Sequence, residues 1–88
     1  NYPNPFNPET TIRFSIPAGI GSSSVELSIY NALGQLVRTL VNQPLQPGVY
    51  KSIWDGRDDR GHSVASGIYV YRLSGDAFNT TRKMILMK

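Results

Sequence analysis

Trp54-Asp-Gly-Arg-Asp-Asp-Arg-Gly-His-Ser-Val-Ala-Ser-Gly-Ile-Tyr-Val-Tyr-Arg-Leu73 reads as strand, tight polar loop, strand. Upstream, Val49 to Trp54 sets Tyr50, Ser52 and Trp54 on one face. Downstream, Tyr69, Tyr71 and Leu73 alternate with Ile68, Val70 and Arg72, the period of two that a pleated strand imposes. Both flanks are rich in β-branched and aromatic residues. Between them, Asp55-Gly56 and Arg60-Gly61 are turn dipeptides, and aspartate side chains bond backbone amides two residues on, so the loop closes on itself. The single tryptophan thus stands at a strand end above a self-capped loop.

Outward from this stretch the pattern repeats. Asn1 to Pro8 holds three prolines and three asparagines, which excludes helix and central strand. Tyr2 and Phe6 argue for an ordered lead-in loop, with Phe6 expected over one end of the core. Ile12, Phe14 and Ile16 alternate through Thr10 to Ile16, and Pro17 stops that strand. After the loop Ala18 to Ser24, Val25, Leu27 and Ile29 define a second strand. Asn31-Ala32-Leu33-Gly34 then turns the chain into a hairpin. Leu36, Val37, Leu40 and Val41 hold no single period, and a bulged strand is expected there. Asn42 to Gly48, with Pro44 and Pro47, is expected as loop, and Thr80 to Lys88 as a last strand. The apolar run Met84 to Met87 in that strand suits burial on both sides, or an outer face that meets a partner. About six or seven short strands at turn intervals of about 8–12 residues predict an antiparallel β-sandwich.

Composition bounds the function. Eighty-eight residues form one domain, 1–88, with 1–9 as its lead-in loop, and a chain of that size buries a thin core. There is no cysteine, so packing and strand pairing must hold it together. The chain begins at Asn1 without a leader or an apolar membrane span, as expected of a piece of a longer protein not inserted in a membrane. The net charge of +3 is spread singly rather than in a basic stripe, which argues against nucleic acid as partner.

Three constellations carry candidate chemistry. His62 lies near Asp58, Asp59, Ser63 and Ser66, but a hydrolytic triad converges from separate elements around a buried acid, whereas these residues crowd one loop. Asp55, Asp58 and Asp59 are hard oxygen donors for calcium, yet their spacing lacks the alternation of a helix-loop-helix site, and Arg57 and Arg60 offset their charge. Tyr30, Tyr50, Trp54, Tyr69 and Tyr71 would serve as a platform for sugar rings if they faced outward, and as core or cross-strand pairs if they faced inward. No catalytic residue, metal or cofactor is expected.

Asn4-Pro5-Phe6-Asn7-Pro8-Glu9-Thr10-Thr11-Ile12, then Ile29-Tyr30-Asn31 with Gly34-Gln35, Trp54-Asp55-Gly56 with Asp58 and Gly61, Ser66 to Tyr71, and Lys83-Met84 together resemble the type A C-terminal sorting domain of the type IX (Por) secretion system. The middle stretch also resembles the immunoglobulin-like domain of the flagellar hook-capping protein. The Asn-Pro-Phe-Asn-Pro start and the terminal position favour the sorting domain. That resemblance implies an immunoglobulin-like sandwich of about seven strands that directs an upstream cargo domain in the same chain through the periplasm and outer membrane. The partners it implies are the type IX outer-membrane translocation and sortase machinery, and the destination is the cell surface or exterior. It assigns recognition to Pro47, Gly48 and Tyr50, to Gly67 and Tyr69, and to Lys83, Met84, Ile85, Leu86 and Lys88 on the last strand. The alternatives are a carbohydrate-binding or adhesive accessory module and a structural, self-assembling subunit.

Overall fold

The computed structural model describes residues 9–18, 23–76 and 78–87, and no helix occurs among them. The expectations for Tyr2, Phe6 and Lys88 lie outside the described residues. Six strands run in chain order: β1 (Thr10–Ile16), β2 (Ser23–Asn31), β3 (Leu36–Leu45), β4 (Gly48–Trp54), β5 (Gly67–Ser74) and β6 (Asn79–Leu86). They form two antiparallel sheets, β1-β4 and β3-β2-β5-β6, so the all-β sandwich expected from alternation is the observed architecture. β4 and β5 flank the Trp54 loop but belong to different sheets. The loop therefore carries the chain across the sandwich.

Alternation places the core as the sequence pattern requires. Ile12, Phe14 and Ile16 of β1 face Val25, Leu27 and Ile29 of β2, with Val37, Trp54, Tyr69, Leu73 and Leu86 completing one buried cluster. Leu27, at 0% exposure on a central strand, is among its largest fully buried side chains. The β2-β3 turn is closed by Asn31, whose Oδ1 accepts from the amides of Leu33 and Gln35. Gly34 sits there at φ +83°, a backbone that only glycine adopts readily.

β3 departs from simple reading in two ways. Its partner register steps from Leu27↔Val41 to Ser28↔Thr39, and from Ile29↔Arg38 to Tyr30↔Leu36, so Leu40 and Val37 are extra residues in two bulges. These bulges are the reason that its apolar residues keep no period. The strand also continues to Leu45, through a segment expected to be loop. Pro44 is tolerated because β3 is an edge strand, where a missing amide donor breaks no second ladder.

Truncating Leu27→Ala should cost about 2–5 kcal/mol. Ile53→Ala, on the exposed face of β4, should cost about 0.5 kcal/mol or less. Urea unfolding midpoints of the two variants check the contrast.

Candidate functional site

Three features gather the residues singled out by sequence: the crossover loop, the starts of β4 and β5, and the last strand. The loop is a miniature hairpin held by its own polar groups. Arg57 and Ser63 form an antiparallel bridge, the Val64 amide donates to the Gly56 carbonyl and the Asp58 amide to the His62 carbonyl. Asp58 Oδ1 accepts from the amides of Arg60 and His62, both at 2.9 Å. Asp55 Oδ1 accepts from the Arg57 amide and from Arg38 Nη1 at 3.1 Å. Asp59 Oδ1 accepts from the Thr39 amide, and its own amide donates to the Val37 carbonyl, which pins the loop to the bulged part of β3.

That arrangement sets the contacts of the histidine and the three aspartates. The acid beside His62 is Asp58, 3.8 Å from the imidazole Nδ1, but His62 is largely exposed and Asp58 is spent on backbone amides, so no buried acid orients the ring. Each of the three aspartates already serves donors of this chain, with the Arg38 guanidinium between Asp55 and Asp59. Among the described residues no three His, Cys, Asp or Glu side chains group to hold a metal.

Trp54, Tyr69, Phe14, Tyr50 and Tyr71 lie on the inward faces of their strands. Trp54 is 0% exposed, its indole N–H donates to the Arg57 carbonyl at 2.9 Å, and its ring meets Tyr69 edge-on at 5.1 Å. Phe14 stacks on Tyr50 across the β1-β4 pair at 5.6 Å. On the outer face Tyr30 is covered by the Arg72 guanidinium, 5.7 Å from its ring centre. Such pairs are cross-strand packing, and among the described residues they leave no open aromatic row for a sugar.

Pro47-Gly48-Val49-Tyr50 and Ser66-Gly67-Ile68-Tyr69 prove to be one device used twice. Gly48 opens β4 and Gly67 opens β5, each at φ +154°. Two residues on, the Tyr50 hydroxyl donates to the Gln46 carbonyl and the Tyr69 hydroxyl to the Ala65 carbonyl, both at 2.6 Å and both four residues back. Each tyrosine latches its strand to the segment that leads into it, in the manner of the tyrosine corner of immunoglobulin-like domains. Spacing alone hides this hydroxyl, although the repeated Gly-x-Tyr is visible in the sequence. On β6, Leu86 is buried, Met84 half-buried, and Lys83 and Ile85 exposed on the opposite face. The structure does not bring these residues together with Pro47, Gly48 and Tyr50 on one strand pair, because β4 and β6 lie in different sheets.

Two titrations follow from this geometry. The His62 amide holds the Asp58 carboxyl below its ordinary value, burial partly opposes this, and the Arg60 amide and the His62 and Arg60 charges add to it. The stabilisation is present above the ordinary aspartate value and is lost as pH falls through the lower folded one. The Arg60 and His62 amide resonances should report that step, and Asp58→Asn should abolish it. Burial pushes the Tyr69 phenol up, so its contribution is present below the ordinary tyrosine value and is lost as pH rises through the raised one. Tyr69→Phe should cost about 1 kcal/mol at neutral pH and weaken the alkaline loss of stability, both measured by unfolding across pH.

Against known proteins, a model of the FlgD Ig-like domain matches residues 4–77. A solved structure of FlgD from P. aeruginosa shares the fold at 22% identity, with a TM-score of 0.67, covering 89% of this chain and 59% of that one. FlgD from Xanthomonas campestris, solved in connection with the hook capping essential for flagellar assembly, aligns at 22% identity and a TM-score of 0.52, covering 91% of this chain and 67% of that one. This chain thus spans less than two thirds of the P. aeruginosa structure. A comparison with curated proteins returns no match. These findings overturn the reading as a type IX sorting domain, together with the translocation and sortase partners drawn from it. The match begins at Asn4, so the Asn-Pro-Phe-Asn-Pro stretch weighed in favour of the sorting domain lies within the flagellar family's own span. They likewise replace the carbohydrate-binding module and the self-assembling subunit. The chain belongs to the FlgD Ig-like domain family.

Proposed function

We propose that residues 1–88 are a single structural, non-catalytic module of a hook-capping protein and act as scaffold in flagellar assembly, with hook components as partners. Family membership across residues 4–77 carries this reading. The site geometry supports it. The polar residues that suggest chemistry in the sequence are committed to holding a loop and two strand starts, which is the work of a rigid scaffold. A hook-capping role sets the module on the cell exterior.

The test is an in-frame deletion of residues 9–87 from the full-length protein in its native host, with the shortened protein confirmed as stable by immunoblot. Hooks lost or malformed under the electron microscope, with swimming lost, is the expected result. Normal hooks and swimming, or a host that builds no flagellum, would overturn the proposal.

A further inference from the structure

Two sheets of unequal width leave one flank of the sandwich uncovered. Among the described residues β1 pairs with β4 alone, so no described strand lies along its second edge, and β6 closes the four-stranded sheet with no described strand beyond it. Along the inward side of β6, Leu86 is buried and Met84 half-buried, but Arg82 and Thr80 are exposed. The cover given by β1 and β4 therefore ends partway along β6. The space left is a cleft of about 410 Å³ between Arg13, Phe14 and Ser15 on one side and Tyr71, Thr80 and Arg82 on the other. Three successive residues of β1 line it. Because side chains alternate between faces, such a run means that the backbone edge of the strand borders the cleft, and no described strand pairs with it.

The charge of the cleft is one-sided. Among the described residues Arg38 has two carboxylates within 4 Å, whereas Arg13 and Arg82 have no ion-pair partner. Tyr71 is the register partner of Arg82, so a phenol ring and a guanidinium stand side by side on the floor. A strand edge with no described partner asks for backbone, a half-covered ring for an apolar side chain, and the Arg82 guanidinium, without an ion-pair partner among the described residues, for a carboxylate.

We infer that this cleft accepts an extended segment of another polypeptide, which pairs with the outer edge of β1, lays an apolar side chain on Tyr71 and brings a carboxylate to Arg82. The added strand widens the β1-β4 sheet to three and covers the inward face of β6. A charged side chain pointing inward at a sheet edge opposes indiscriminate strand addition. A carboxylate on the incoming strand removes that opposition, so Arg82 selects as well as binds. This inference does not rest on the flagellar reading and stands or falls separately from it.

The probe is a displayed library of random peptides of about nine residues, the length of a strand, selected on the 88-residue chain. Enriched peptides should alternate apolar residues with Asp or Glu. Measured by fluorescence polarisation, their affinity should fall about tenfold or more in Arg82→Glu, and replacing the peptide's acid by Lys should restore it to that variant. Arg82 is exposed, so the variant keeps its fold, which circular dichroism checks. Amide exchange at Arg13 to Ser15 should slow when the peptide is bound. No enrichment, enrichment without an acid, affinity indifferent to Arg82→Glu, or occupation of the cleft by a second copy of this chain in sedimentation would overturn the inference.

Discussion

Burial of Trp54 is the constraint on which the other parts of the fold rest. The chain has no disulfide, and the narrow sheet consists of two strands, so the join between sheets must come from side chains. A tryptophan buries about 150–250 Å² of mostly apolar surface, more than any other residue can bring to that join. Its indole N–H must then find an acceptor, because an unpaired buried donor costs about 1–3 kcal/mol. The acceptor is the Arg57 carbonyl, three residues on, which forces the loop to double back as soon as β4 ends. Packing of one ring thus dictates the path of the crossover.

The two Gly-x-Tyr latches extend that logic to both sheets. Tyr69 meets the tryptophan ring and anchors the Ala65 carbonyl, so the crossover is tied down at its beginning by Arg57 and at its end by Ala65. Tyr50 does the same for the passage from β3 to β4. Arg38 supplies the third tie, from the bulged edge strand to Asp55 and Asp59. A thin core is thereby framed by connections that do not depend on its thickness.

Alternation made β1, β2, β4 and β5 legible from the residues themselves, since period two survives wherever one face is buried. β3 was legible only as an anomaly: the misplaced Val37 and Leu40 signalled bulges, while Pro44 suggested a loop because edge position is a tertiary fact. The division of β4 and β5 between sheets was hidden as well, for neighbours in sequence carry no mark of which sheet they join. The functional reading went astray for a related reason. Pro-Gly-Val-Tyr, Ser-Gly-Ile-Tyr and Trp-Asp-Gly serve turns, latches and the buried ring, so a resemblance built on them tracks the scaffold rather than its task. Arg13 and Arg82, by contrast, are unremarkable single charges in the sequence, and only the stacking of two sheets sets them in one cleft.

The first and last strands lie in different sheets and share no hydrogen-bond ladder. A pull between the two ends of the domain is consequently carried by one ladder of seven residue pairs, β1 with β4, by another of eight, β5 with β6, and between them by the apolar core. Ladders loaded along their length resist as a row, whereas the join between sheets rests on dispersion contacts and the few polar ties from β3 to the crossover loop. Under tension the domain should therefore part between its sheets, with each pair of strands still intact, and the tryptophan ring is the rivet at that seam.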